Sequence, residues 1–235
     1  MTSISIAAEQ LGPDGPGFYL VERLIPTQLL TEVNQDLELP LDWFAQYNSF
    51  VNDRNVVVDQ AFEVFAHKCS RGPQEFIDRL AGISKLGDLV TTELVEPLQM
   101  YFPSLTGWQI DEMVAQHYQD NIGELTWHMD LARHPCLIVI CNVVGQATLK
   151  LRQLGSKSSE TKVELAPTDV LMLRATDLFD SQAELRPEHA VSQTSGEFGR
   201  TSVTFRANSQ PDKQIRGFYY HNWGPKPPIN DLIDS

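Results

Sequence analysis

His128 and Asp130 stand two residues apart in "ELTWHMDLARHPCLIVICNV" (124–143), beside a very apolar run. An HxD pair alone is a weak signal, because an imidazole and a carboxylate so spaced can equally form a surface hydrogen-bonded pair. The signal sharpens at "RPEHAVSQTSGEFGRTSVTFRAN", where His189 precedes a strand-like run carrying Arg200 and Arg206. Two imidazoles and one carboxylate form the facial ligand set of non-haem iron(II) oxygen chemistry, which leaves three adjacent coordination positions open. Because side chains alternate along a strand, His128 and Asp130 can leave one strand end on the same side, and His189 must come from a facing strand.

The same parity applied to 200–206 puts Arg200, Ser202, Thr204 and Arg206 on one face and Thr201, Val203 and Phe205 on the other. If the polar face is an interior, its guanidinium groups are costly to bury unless they meet an anion. A carboxylate matches the guanidinium fork, so a dicarboxylate ligand answers that need, while pairing with a protein carboxylate such as Glu197 is the plainer alternative.

On these residues the chain resembles the iron(II)/2-oxoglutarate-dependent dioxygenase superfamily, whose pattern is HxD, a distal His and an Arg about ten residues beyond it. The resemblance covers about 107–222, and the lead-in "GFYLVERLIPTQLL" is similar to the N-terminal strand and helix of such proteins. It implies an α+β fold with a double-stranded β-helix (jelly-roll, cupin-like) core and N-terminal helices packed against it. It also implies iron(II) on His128, Asp130 and His189, with 2-oxoglutarate and dioxygen as cosubstrates. Arg200 with Ser202 looks like the RxS pair that holds the distal carboxylate of 2-oxoglutarate, and Arg200 with Arg206 resembles the RxxxxxR of AlkB-like dealkylases. "QHYQDNIGELTWHMD" is similar to the Tyr, Gly, then HxD arrangement of AlkB-like and prolyl-hydroxylase-like members, which places Tyr118 and Gln116 near the cosubstrate. In halogenating members a small residue replaces the carboxylate, so Asp130 favours oxygen insertion.

The elements that must position these groups follow from periodicity. "GFYLVERLIPTQLLTEVNQDL" reads as a strand, a turn at Pro26 and a helix opened by Thr27 with Leu29, Leu30, Val33 and Leu37 at helical spacing. Leu39 to Gly72, which carries Trp43, Phe44, Tyr47, Phe50, Phe62 and Phe65, has weaker periodicity and reads as a lid or as packed loops. Gln74 to Tyr101 reads as helices interrupted at Gly82 and Gly87, with Pro97 a kink or boundary. After Pro103 the texture changes to short strand-like runs, "WQIDEMVAQHYQD", "LIVICNVV", "ATLKLRQL", "TKVELAP", "DVLMLRA", "RTSVTFRAN" and "IRGFYYHNW", separated by turn residues, which predicts a sandwich or barrel. The expected organisation is one dioxygenase domain over 1–235, with a strand and helical support over 1–106, a jelly-roll core over 107–223 and a tail over 224–235. Leu39–Gly72 and Asp177–Glu188 are expected to border the substrate mouth. His117, His134 and His221 lack matching partner spacings and read as structural or exposed. Trp43, Phe44, Tyr47 and Trp127 read as packing.

Composition limits the partners. The 235 residues are 42% hydrophobic and 21% charged, as in a globular protein, and the net charge of −13 works against phosphate-backbone binding, so nucleic acid is disfavoured. The longest apolar run is far short of a bilayer span and the first residues lack a basic leader, so the expectation is a cytoplasmic chain with no membrane partner. The three cysteines, Cys69, Cys136 and Cys141, give neither an even count nor a CxxC spacing and read as buried free thiols. The leading function is hydroxylation of a small molecule or an amino-acid residue, with decarboxylation of 2-oxoglutarate to succinate. The alternatives are oxidative dealkylation of a nucleic-acid base and a non-catalytic cupin-type metal or ligand binder.

Overall fold

A computed structural model describes residues 3–38, 45–51, 57–68, 80–180 and 183–209. Among the described residues the early helices are α1 (Ser3–Leu11), α2 (Thr27–Glu38) and α3 (Ala81–Val90), the last continuing through a π turn at Thr91–Val95 into a short α turn at Glu96–Leu98. The strands among the described residues are β1 (Phe18–Val21), β2 (Ala45–Val51), β3 (Val57–Lys68), β4 (Glu112–Tyr118), β5 (Glu124–His128), β6 (Leu137–Val144), β7 (Gln146–Gln153), β8 (Thr161–Leu165), β9 (Val170–Arg174), β10 (Pro187–Ser195) and β11 (Arg200–Arg206).

The strands pair antiparallel in the order β1-β9-β6-β11-β4-β3-β5-β10-β7-β8, with β2 alongside β3. A larger sheet (β1, β9, β6, β11, β4, β3, β2) faces a smaller one (β5, β10, β7, β8), and β3 pairs with both β4 and β5. Strands β4, β11, β6 and β9 against β5, β10, β7 and β8 make a double-stranded β-helix, the jelly-roll expected above, with helices supporting it.

Sequence pattern explains the two cores. In β6 and β9 both faces are buried, so these strands are apolar except at Asn142 and Arg174. Leu137, Val139, Cys141, Val170 and Met172 join Val203 and Phe205 in a core shared with the helices. Ile138, Ile140, Leu171 and Leu173 join Leu149, Leu151 and Leu165 in the second core, inside the jelly-roll. Arg200, Ser202, Thr204 and Arg206 alternate with Val203 and Phe205 and so face this inner chamber, as the parity of the sequence predicts.

The expectation for the early chain needs two corrections. Residues 45–51 and 57–68, read as a lid or packed loops, form a β-ladder whose second strand lies inside the sheet. Neither Gly82 nor Gly87 interrupts a helix: both sit inside α3. At Gly82 a Cβ would lie 2.5 Å from the Glu32 carbonyl carbon, so glycine permits the close approach of α3 to α2. Asp36 of α2 completes that contact by accepting the Ile83 N–H at 2.8 Å, a cap supplied across the interface because Leu80 offers none. The strand and helix of the lead-in fall at β1 and α2 as predicted. Trp43, Phe44, Cys69, His221, residues 74–79, the strand expected in "IRGFYYHNW" and the tail lie outside the described residues, as do the side chains of Tyr47, Phe50 and Phe62. No helix among the described residues is long and apolar enough to cross a membrane.

Candidate metal centre and anion chamber

His128 ends β5 and His189 lies near the start of β10, where the two are direct partners in the antiparallel register. Their ring centroids are 4.1 Å apart. Asp130, two residues past the end of β5, brings a carboxylate to the same point, and one ligand atom from each of His128, Asp130 and His189 lies within 4.8 Å of the others. His189 is buried, whereas His128 and Asp130 are half-buried, so the group sits at the chamber mouth.

The donor set fits a divalent first-row metal ion. His128 Nδ1 donates to the Thr126 carbonyl at 2.9 Å, which leaves Nε2 as the free donor atom. His189 turns its Nε2 toward Asp130 Oδ2 at 3.5 Å. Burial pushes the His189 imidazole down to about 3, reinforced by the neighbouring His128, so it is neutral and able to ligate at neutral pH. Burial lowers His128 too. Burial alone would raise the Asp130 carboxyl, but the Arg206 guanidinium and the two imidazoles hold it well below the ordinary carboxylate range.

Arg206 reaches this group from the opposite sheet, its Nη2 lying 2.7 Å from Asp130 Oδ1. Its cross-strand partner Glu112 is buried and holds the loop after the HxD pair: His134 Nε2 donates to Glu112 Oε2 at 2.9 Å and Asn208 Nδ2 to Oε1 at 2.6 Å. Burial opposes ionisation of Glu112, yet the His134 hydrogen bond and the nearby Arg206 and Arg133 bring it down to about 2. Burial also keeps His134 low, so its neutral ring donates to an ionised carboxylate. Arg186, just before His189 in sequence, donates to the Asp130 carbonyl at 2.5 Å and pairs with Glu184. Arg186 therefore abuts the HxD pair.

At the other end of β11, Arg200 is 1% exposed and no carboxylate pairs with it among the described residues. Its Nε donates to Asn142 Oδ1 at 2.7 Å, and its guanidinium carbon lies 4.9 Å from the centre of the Tyr118 ring. Burial pushes the Tyr118 hydroxyl up to about 12 against the downward pull of Arg200, so it is a neutral phenol. Arg200 Nη2 and Ser202 Oγ, both buried, make no hydrogen bond to a described residue. Unpaired buried donors of this kind suit an anionic partner. Gln116 stands opposite Ser202 and Tyr118 opposite Arg200 in the β4–β11 register.

The structure thus brings together His128, Asp130 and His189 at one point and Arg200, Ser202, Tyr118 and Gln116 at another, while Arg206 joins the first group rather than the second. Cys136 and Cys141 are buried free thiols. Trp127 packs under the Arg152 guanidinium at 4.0 Å, and His117 bonds Thr201 Oγ1 at 3.0 Å. Sequence reasoning missed Asn142, Glu112 and Arg186. Asn142 had a signal, as a lone amide in an otherwise apolar strand.

The fold is shared with solved oxygenase structures. A prolyl hydroxylase from Trichoplax adhaerens, solved with a peptide fragment of the hypoxia inducible factor oxygen degradation domain, superposes with a TM-score of 0.60 at 16% identity, over 89% of this chain and 92% of that one. A Pseudomonas putida prolyl-4-hydroxylase gives 0.54 at 10% identity, over 88% and 100%. OsALKBH1 gives 0.53 at 14% identity, over 82% and 98%. By sequence, the chain matches no family model and no curated protein.

Proposed function

We propose that the chain is an iron(II)- and 2-oxoglutarate-dependent dioxygenase that hydroxylates a small molecule or an amino-acid residue and converts 2-oxoglutarate to succinate. The observation that carries this reading is one inner face that carries a His-Asp-His ligand set and a buried guanidinium without a countercharge among the described residues. Either alone has a plainer explanation; together they suit a metal-chelating 2-oxo acid with a distal carboxylate.

In this reading the residues divide the work. His128, Asp130 and His189 hold the metal, which when bound supplies dioxygen activation coupled to oxidation of the 2-oxo acid. Arg200 and Ser202 bind the distal carboxylate, with Tyr118 and Gln116 beside it. Arg206 keeps Asp130 ionised and oriented. The walls of Leu149, Leu151, Leu171 and Leu173 exclude water from the chamber. Because β1 and β3 pair with the later strands, we assign the described residues to one catalytic unit.

A second reading, oxidative dealkylation of a nucleic-acid base, draws on the Arg200 and Arg206 spacing together with the Arg206–Asp130 pair. The net charge of −13 weighs against it. The test is succinate formation with iron(II), ascorbate and 2-oxoglutarate over a panel of amino acids, peptides, small metabolites and methylated oligonucleotides, scored by substrate-dependent stimulation and by the mass of the product. A gain of one oxygen on a small molecule or peptide supports the first reading; loss of a methyl from an oligonucleotide supports the second.

A further inference from the structure

Arg200 is held by a neutral residue. Asn142, on β6, is 0% exposed, and its amide orientation is fixed from the far side, where Nδ2 donates to the Gly145 carbonyl at 2.8 Å. Oδ1 is therefore the end that accepts Arg200 Nε at 2.7 Å. Asn142 stands opposite Ser202 in the β6–β11 register, so it lies beside the strand that carries the guanidinium.

This contact decides which edge of the guanidinium remains. With Nε engaged and the guanidinium carbon 4.9 Å from the centre of the Tyr118 ring, Nη2 is the nitrogen left buried without a hydrogen bond to a described residue. Nη2 is thus the donor left for a carboxylate. Charge follows the same logic. An aspartate is nearly isosteric with Asn142 and would form a buried ion pair with Arg200, leaving a ligand carboxylate to compete with it. An amide accepts the same hydrogen bond and leaves the full charge to the ligand.

We propose that Asn142 is a positioning residue that aims the Arg200 fork and, by being neutral, reserves its charge for the distal carboxylate, so that it sets the preference for dicarboxylic over monocarboxylic 2-oxo acids. The proposal rests on the dioxygenase reading given above. It goes beyond that reading by assigning cosubstrate selectivity to a residue that touches Arg200 and not a metal ligand.

Calorimetric titration of the manganese(II)-loaded protein with 2-oxoglutarate, and with 2-oxobutyrate, which keeps the chelating head and lacks the distal carboxylate, tests this on the parent, Asn142→Asp and Asn142→Leu. For 2-oxoglutarate we expect about 100-fold weaker binding in Asn142→Asp and about 10-fold in Asn142→Leu, with 2-oxobutyrate changing by less than about threefold in both. A packing defect would weaken both ligands alike, and that result overturns the proposal. So does 2-oxoglutarate affinity within about threefold of the parent in the variants that bind metal. If Asn142→Asp does not fold, Asn142→Leu, which removes the acceptor without adding charge, carries the same comparison. A metal-loaded parent that binds neither ligand overturns the dioxygenase reading instead.

Discussion

Arg206 Nη2 lies 2.7 Å from Asp130 Oδ1, so a strand of the larger sheet supplies the countercharge for a carboxylate of the candidate metal centre. Both side chains are about one-tenth exposed. Removing one partner of such a pair strands the other charge, which commonly costs about 3 to 5 kcal/mol. Arg206→Met is therefore expected to lower the stability of the metal-free protein by roughly 3 kcal/mol in urea titration. A divalent ion supplies the missing positive charge, so metal should raise the melting temperature of Arg206→Met more than that of the parent. Equal metal-induced shifts would argue against Asp130 as a ligand.

Arg200→Lys separates the two halves of the site. An ammonium is a point charge without the fork, so 2-oxoglutarate affinity should fall roughly 30-fold or more while metal binding is retained. Titration showing parent-like affinity would move the anchor elsewhere on the inner face of β11.

Glu112 links the loop after Asp130 to β4 and titrates unusually low, at about 2 against an ordinary 4.5. Its folded value is depressed, so its stabilisation is fully present above about pH 4.5 and is lost as the pH falls toward 2. The amount at stake is on the order of 3 kcal/mol. Glu112→Gln should be less stable than the parent at neutral pH, and the gap should narrow between pH 4.5 and 2. Chemical denaturation at a series of pH values checks this, and a gap that does not change with pH would show that Glu112 is not held ionised by the fold.

Much of this arrangement was legible in the residues, for reasons of period and parity. Arg200 and Arg206 in "RTSVTFR" are six residues apart, and in a strand an even spacing sends both to one face; the structure turns that face inward. The apolar "LIVICNVV" reads as a strand, and it lies in the larger sheet between β11 and β9, not beside the strand that carries His128. The β2–β3 ladder was not legible, because its partners are distant in sequence and its own alternation is interrupted by polar residues. Gly82 misled for a related reason: it serves a close helix contact with α2, a tertiary need that local propensity does not report. Asn142 and Glu112 were passed over because their partners, Arg200 and His134, become neighbours only once the strands are paired.

The central claim is that His128, Asp130 and His189 form one metal centre on which a 2-oxo acid is bound with Arg200 at its far end. Equilibrium binding of 2-oxoglutarate with and without manganese(II), in the parent and in the double variant His128→Ala/Asp130→Ala, tests it most directly. The account predicts one 2-oxoglutarate per chain in the metal-loaded parent, at least about tenfold weaker binding without metal, and no metal-dependent gain in the double variant. Binding that is equally tight without metal, or a metal-dependent gain that survives in the double variant, would contradict it.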